Sequence, residues 1–321
     1  MLARLRNSVL VFVLAAVCGT VLAQGYPVRP VRLISPFPPG GGNDIFARAI
    51  APRLGEYLGQ QVLVDNRPGA NTIIGTDLVA KSPADGYTLL IASGGHAINS
   101  SLYPKLPYDT VRDFAPITLV GAGPLMLAVH PSLPARSVRE LTALAKSKPA
   151  ELTYASAGSG SVGHLAIVLI DMMAGIQMTH IPYKGVAPAL ADVIGGQVRM
   201  VMGTPLALMP QVNAGKLRAL ATTGAKRSQG SPDIPAIAED LPGYEAILWY
   251  GVLAPAATPR NVIARVNSDI AKVLSLADVR ERFASQGVDA YGSTPEEFAK
   301  LIAGDVEKWA KVIKASGVQV D

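Results

Sequence analysis

Short apolar runs and longer segments of helical periodicity alternate along most of this 321-residue chain. The apolar runs at residues 31–35 and 88–92 predict buried strands, and residues 44–58, where apolar side chains recur at helical spacing, predict a helix. The same alternation returns between residues 138 and 222. Strands that alternate with helices are typical of parallel sheets covered by helices, so we predict an α/β fold.

Two longer apolar segments interrupt this alternation, at residues 117–129 and 246–254. We interpret them as crossover segments that join two lobes, each a sheet flanked by helices. Lobe one is predicted to comprise residues 26–123 plus 247–321, and lobe two residues 124–246. Ligands of open α/β sheets bind at the carboxyl ends of the strands, so the cleft between the lobes is the expected site.

The first 23 residues have the three-part layout of a secretory signal. Arg4 and Arg6 precede an apolar stretch at residues 8–22, and small residues end it at Ala23. We therefore expect a cleavable signal peptide at residues 1–23 and export from the cytoplasm. Cys18 is the single cysteine and lies inside this signal, so the processed protein is expected to form no disulfide. Whether Cys18 is lipidated is left open.

The charge of the chain says little about its partners. The formal net charge is +5, and two of the basic residues would leave with the signal peptide. The remaining lysines and arginines are scattered, with no run of five, whereas nucleic-acid binders concentrate basic residues in clusters. We therefore expect no nucleic-acid partner.

A first candidate loop, residues 36–44, follows the first predicted strand and contains three consecutive glycines. Glycines let the backbone approach a ligand, and free N–H groups at the start of a helix attract anions. The alternative is that Asn43 or Asp44 merely caps the helix. The residues expected to contact a ligand here are Phe37, Gly41, Gly42, Asn43 and Asp44.

A second candidate loop, residues 154–164, lies between a strand and a helix of the other lobe. Gly158, Gly160 and Gly163 match G-x-G-x-x-G, but no acidic residue ends the next strand, so a dinucleotide is not expected. We predict an anion-binding nest, with a plain glycine-rich connection as the alternative. The ligand contacts expected in this lobe are Ser156, Gly158, Ser159, Gly160, Ser161 and His164, joined by Thr204 after a later strand; Ser93 follows a strand of lobe one.

A secreted serine hydrolase that uses Ser161 or Ser159 is the alternative function. Ser161 lies in a degraded nucleophile elbow, but His164 is on the same helix, a poor position for its general base. All four histidines lie within the first 180 residues and none has metal-ligand spacing. We therefore expect no enzyme activity, no metal and no cofactor.

The chain resembles the Bug family of periplasmic binding proteins, the receptors of tripartite tricarboxylate transporters. The resemblance covers nearly the whole chain after the signal, and the order and spacing of its motifs carry it. These motifs lie at residues 38–44, 66–70, 81–87, 102–109, 154–160, 181–185, 195–198 and 249–255.

The resemblance implies a type II-like, two-lobed receptor in the periplasm that closes over a small carboxylate. Di- and tricarboxylates, acidic amino acids and aromatic acids are the expected ligand classes. One carboxylate is expected between the loops at residues 37–44 and 156–161. The resemblance also implies a large and a small integral membrane subunit as partners, and a monomeric receptor. It does not say which carboxylate binds, how tightly, or whether a cognate transporter exists.

Overall fold

The computed structural model describes residues 25–228 and 230–319. The predicted signal peptide and Cys18 lie outside the described residues. Within the described ranges, every helix is too short or too polar to cross a membrane.

Eleven strands, ten α-helices and one short 3-10 helix, Ile237–Glu239, form the regular structure of the described part of the chain. The strands are β1 (Val31–Ser35), β2 (Val62–Asn66), β3 (Thr88–Ser93), β4 (Phe114–Pro124), β5 (Met126–Val129), β6 (Thr153–Ser156), β7 (Thr179–Pro182), β8 (Met200–Gly203), β9 (Arg218–Thr222), β10 (Ile247–Pro255) and β11 (Asp289–Ala290). The helices are α1 (Gly42–Leu58), α2 (Ile73–Ala80), α3 (Gly95–Leu102), α4 (Val138–Ser147), α5 (Val162–Ala174), α6 (Val186–Ile194), α7 (Pro205–Asn213), α8 (Arg260–Ser275), α9 (Ala277–Ala284) and α10 (Pro295–Ser316).

The strands form two sheets, ordered β11-β4-β10-β3-β1-β2 and β7-β6-β8-β5-β9. In each sheet, three strands are parallel: β2, β1 and β3 in the first, and β7, β6 and β8 in the second. The prediction of parallel sheets holds for these strands only. The strands at the entry to and the exit from the second sheet, β4, β5, β9 and β10, pair antiparallel with their neighbours. The reason is that the chain enters and leaves this sheet in opposite directions.

The two predicted crossover segments differ in form. Residues 117–129 are split at Leu125, where β4 of the first sheet ends and β5 of the second begins. The returning segment is one strand, β10, which pairs with β4 along its whole length, from Ile247 opposite Pro124 to Pro255 opposite Phe114. The chain therefore crosses between the sheets along a two-stranded antiparallel ribbon, which β4 and β10 form. The exact lobe limits stay a prediction.

The last helix, α10, packs on both sides of this junction. It contacts α3 and β4 beside the first sheet and α5 beside the second. Trp249 of β10 lies under it, fully buried, and donates from Nε1 to Asp305 Oδ2 at 2.7 Å. Trp249 is thus a core residue and contributes to one continuous apolar cluster that reaches residues of both sheets.

Candidate functional site

A cavity of about 300 Å³ opens between the two sheets, where loops that follow strands of both sheets meet. Phe37 and Ser93 line it from the first sheet, and the loop from Ala157 to Ser161 lines it from the second. Leu248 and Tyr250 of β10 form part of its wall. The volume lies at the lower end of the range for small-molecule sites, so a compact ligand fits it.

Six helices begin at this cavity. The lining contains a residue at the start of each of α1, α2, α3, α5, α6 and α7, namely Gly42, Thr72, Gly95, Val162, Val186 and Thr204. None of the lining residues carries a charged side chain. The first N–H groups of a helix have no partner within it and carry partial positive charge. The cavity can therefore bind an anion with neutral groups.

In the first candidate loop, Asp44 stabilises the backbone from the side away from the cavity. Its Oδ2 accepts the Gly40 N–H at 2.9 Å, and its Oδ1 accepts Arg48 Nε and Asn66 Nδ2, both at 2.9 Å. Burial alone would raise the pKa of Asp44, but hydrogen bonds from Arg48 and the Gly40 N–H outweigh it and lower that pKa. Asp44 is buried and does not line the cavity.

The helix after this loop starts without a side-chain cap. Its N-cap is Gly41, whose N–H donates to Pro38 O at 3.2 Å and whose carbonyl accepts the Ile45 N–H at 3.0 Å. The alternative that Asn43 or Asp44 caps α1 is therefore wrong, since both lie within its first turn. Asn43 Nδ2 instead donates to Ile91 O of β3 at 2.7 Å, which ties the start of α1 to the sheet.

Gly42 and Tyr250 meet closely at the cavity wall. A Cβ at Gly42 would overlap the Tyr250 hydroxyl, so this position requires glycine. Burial raises the pKa of Tyr250 well above its usual range, so its hydroxyl stays neutral and can donate a hydrogen bond.

The second candidate loop is held by two histidines, the buried His164 and the partly buried His180. The Gly160 N–H donates to His164 Nδ1 at 3.0 Å, and the Gly158 N–H donates to Ser156 Oγ at 3.1 Å. Ser156 Oγ lies 2.7 Å from His180 Nε2, and the His164 and His180 rings stack with centroids 3.8 Å apart. These contacts fix a backbone in which Gly158 and Gly160 have φ of 140° and 74°.

Both histidines are neutral in the folded protein. Burial, with a smaller contribution from His180, lowers the pKa of His164 to about 3, and burial lowers the pKa of His180 to about 4. An unprotonated Nδ1 is what allows His164 to accept the Gly160 N–H. Both rings face a separate cavity on the far side of the loop, which also contains Tyr154 and Asp171. Burial raises the pKa of Asp171 to about 7.

The structure brings together most of the predicted ligand contacts. Those that line the cavity are Phe37, Gly42, Asn43, Ser93, Gly158, Ser159, Gly160, Ser161 and Thr204. The other four, Gly41, Asp44, Ser156 and His164, lie outside the lining. For His164 this corrects the expectation of a direct contact, because its Nδ1 is occupied by the loop itself and its ring faces away from the cleft.

Sequence reasoning missed Asn71, Thr72 and Tyr250, which also line the cavity. Tyr250 is far along the chain and reaches the site only because β10 inserts beside β3. Asn71 and Thr72 follow β2, so their place after another parallel strand was a usable signal.

The segment from Gly69 to Thr72 has an uncommon backbone. Its φ angles are 131° at Gly69, 45° at Ala70, 48° at Asn71 and 78° at Thr72. Left-handed backbone costs about 1–2 kcal/mol for each residue with a Cβ, and a β-branched threonine adopts it rarely. The surrounding structure must therefore hold this segment in place.

Three hydroxyls at the cavity accept hydrogen bonds from the protein. Ser161 Oγ accepts the His164 N–H, and Thr204 Oγ1 accepts the Ala207 N–H, each as a helix cap. Thr72 is also an N-cap but makes no such bond; its Oγ1 accepts Asn99 Nδ2 at 3.2 Å. A hydroxyl that accepts in this way keeps its own proton for a ligand.

In the part of the chain that the structure describes, no group of three or more histidine, cysteine or acidic residues is placed to hold a metal ion.

Two α/β lobes, two crossing segments and an anion-attracting cavity between the lobes define a solute-binding protein. The chain belongs to the tripartite tricarboxylate transporter receptors, because the model of that family, "Tripartite tricarboxylate transporter family receptor", matches residues 46–318. The family is one of periplasmic binding proteins, so the resemblance stated from the sequence and the two-lobed fold are both confirmed.

Named relatives agree with this assignment. Protein BugT of Bordetella pertussis (strain Tohama I) is 39% identical over 309 residues, which cover 95% of each chain. The structure of R. palustris Rpa4515 with adipate has a TM-score of 0.81 at 38% identity, covering 92% of this chain and 99% of that one. MatC from Rhodopseudomonas palustris with bound malate has a TM-score of 0.77 at 30% identity, covering 90% of this chain and 100% of that one.

Proposed function

We propose that this receptor binds a small carboxylate in the cavity between its sheets and delivers it, in the periplasm, to a membrane transporter with a large and a small integral subunit. The observation that carries the proposal is the start of six helices around a cavity without charged side chains. Helix N-termini favour anions, and here several of them act on the same space.

The lining also supports a choice among carboxylates. It contains no acidic side chain to pair with an ammonium group, and burying an unpaired charge is costly. Apolar side chains, among them Leu125, Met202 and Leu248, would contact a hydrocarbon segment. We therefore favour dicarboxylates without an amino group. The adipate and malate in the two similar structures are ligands of this kind.

The hydrolase alternative receives no support from the geometry. Ser161 Oγ accepts the His164 N–H as a helix cap, and the His164 ring contacts the Gly160 N–H instead of a serine hydroxyl. Two serine–histidine pairs are close among the described residues, Ser156 with His180 and Ser132 with His130, each at 2.7 Å. Neither pair lines the cavity, and Ser156 is fully buried, so neither serine is placed to attack a ligand bound there.

Thermal unfolding of the purified protein with a panel of acids tests the proposal. The panel contains adipate, malate, citrate, benzoate, aspartate and glutamate. A ligand at 100 times its dissociation constant adds about 2.7 kcal/mol to the free energy of unfolding. We expect an upward shift of several degrees with adipate or malate and smaller shifts with aspartate and glutamate.

Two outcomes would change this view. If aspartate or glutamate gave the largest shift, the receptor function would stand but the argument from the missing counter-charge would be wrong. If well-folded, ligand-free protein showed no shift with any acid, carboxylate binding itself would be rejected. Transport is tested separately, by uptake of the acid in cells with and without the receptor gene.

A further inference from the structure

The left-handed segment from Gly69 to Thr72 is held by one buried side chain. Asn99 of α3 is fully buried, and its Nδ2 donates to Asn71 O at 2.8 Å and to Thr72 Oγ1 at 3.2 Å. Its Oδ1 accepts Asn71 Nδ2 at 3.0 Å. A backbone carbonyl can only accept a hydrogen bond, so the atom of the Asn99 amide that contacts Asn71 O must be the nitrogen.

Asn99 itself does not line the cavity, whereas Asn71 and Thr72 do. The amide therefore connects the core of the first lobe to the cavity wall. It occupies one acceptor position of the Thr72 hydroxyl, so the hydroxyl proton is free to be donated toward the cavity.

The comparison with the other hydroxyls shows why a separate side chain is needed. Ser161 and Thr204 have extended backbones with φ of −66° and −70°, and each caps its own helix. Thr72 has φ of 78° and cannot reach the N–H groups of α2 in the same way. Asn99 supplies the donor that the helix supplies in the second lobe.

We propose that Asn99 is a positioning residue for ligand binding, which holds Gly69–Thr72 in its left-handed conformation and orients the Thr72 hydroxyl as a hydrogen-bond donor to the bound carboxylate. The inference rests on the proposed function, because it gives this hydroxyl an anionic partner. Its two parts, the hold on the segment and the effect on binding, are measured separately.

Hydrogen exchange of the ligand-free protein tests the hold on the segment. Asn99→Ala should speed amide exchange in peptides that cover residues 69–74 and leave peptides of α10 unchanged. Asn99→Ser, which is too short to reach both partners, should act in the same direction if Asn99→Ala folds poorly. Ser100→Ala is the matched control, since the Ser100 hydroxyl donates to Ala97 O of its own helix and not to the segment from Gly69 to Thr72. Unchanged exchange in residues 69–74 would overturn the proposal, whatever the ligand is.

Calorimetric titration with adipate tests the effect on binding. Thr72→Val, which keeps the shape but removes the hydroxyl, should weaken adipate binding about tenfold, as the loss of a hydrogen bond to a charged group does. Asn99→Ala should weaken binding to a similar extent, and the double variant should be no more than about twofold weaker than either single variant. Losses that multiply to about a hundredfold would show that the two residues act independently and would reject the proposal.

A rescue variant separates positioning from general damage to α3. Ala70 is exposed, and Ala70→Gly relieves the backbone cost of the left-handed segment without touching the cavity lining. In the Asn99→Ala background, Ala70→Gly should raise the affinity for adipate at least threefold. No recovery would mean that Asn99 acts by supporting its helix. If the parent protein bound neither adipate nor malate, the proposed ligand class would fail, while the exchange experiment would still decide the role of Asn99.

Discussion

The two candidate loops perform the same task with different supports. Both lie between a parallel strand and a helix, and both line the cavity. In the first lobe an ionised carboxylate, Asp44, holds the loop together with Arg48 and Asn66. In the second lobe two neutral, stacked imidazoles do so. One support depends on charge and the other on its absence, so pH and salt should affect the two sides of the cavity differently.

The largest expected effect comes from Gly160, on the side held by histidines. A Cβ there would overlap Leu102, and its φ of 74° is unsuited to valine. Gly160→Val should weaken adipate binding by more than about a hundredfold, since two requirements of the loop fail together. Calorimetry measures it. Gly304→Ala, in an open position on α10, is the control and should bind as the parent does. Normal binding by Gly160→Val would mean that this loop is not part of the site.

Asp44→Asn should have the next largest effect, because it breaks the charged support. In Asp44, one carboxylate oxygen accepts the Gly40 N–H and the other accepts Arg48. Asparagine has only one acceptor oxygen, so it loses one of these two bonds. We expect a loss of about 2 kcal/mol in the free energy of unfolding, measured by urea denaturation. Ser156→Ala removes an acceptor of the neutral support and should cost about 1 kcal/mol. Equal losses in the two variants would contradict the contrast between the supports.

A pH series tests the neutral support. Folding lowers the pKa of His164 from 6.5 to about 3, so below pH 6.5 the unfolded chain binds a proton that the folded chain does not. Stability should therefore fall as the pH falls from 6.5 toward 3, by up to about 1.4 kcal/mol per pH unit for this histidine. His164→Gln should remove this share of the dependence and leave that of His180, whose pKa is lowered to about 4.

Asp171 should oppose this trend. Its pKa is raised from 3.8 to about 7, so the folded chain holds an extra proton between these values and loses that stability as the pH rises. Asp171→Asn should therefore steepen the fall of stability on acidification between pH 7 and 4. A stability profile that His164→Gln leaves unchanged would show that the imidazole is not kept neutral by the fold.

The smallest effect should come from Arg48→Gln. The Arg48 side chain is half exposed, so its ion pair with Asp44 is screened by solvent. We expect a loss of about 0.5 kcal/mol, which disappears at high salt. A loss as large as that of Asp44→Asn would mean that the arginine, and not the backbone bond to Gly40, is the main partner of the carboxylate.

The strand–loop–helix units were predictable because each is a local pattern. The apolar run, the glycines and the start of the helix lie within about fifteen residues of one another in both loops, and the structure places both at the cavity. The direction of a side chain within such a unit was not predictable. Asp44 and His164 are in the first turns of their helices, yet both side chains lie on the side of the loop away from the cavity. Asp44 accepts a hydrogen bond from Asn66 there, and the His164 ring stacks on His180.

Features that depend on distant pairing were also outside the reach of sequence patterns. β10 lies between β3 and β4 although it follows them by more than a hundred residues, and it brings Tyr250 to the cavity. The left-handed backbone at Asn71 and Thr72 is stabilised by Asn99, a contact that no local spacing indicates.

The position of β10 also has a consequence for the order in which the chain can fold. β3 in the middle of the first sheet lacks one neighbour until residues 247–255 are available, whereas β5 to β9 of the second sheet are contiguous in sequence. Pairing between distant segments slows folding, because the loop must close before its contacts form. We therefore expect the second sheet to form first during refolding. The first sheet should stay exposed to proteolysis or aggregation until the C-terminal quarter of the chain has paired with it.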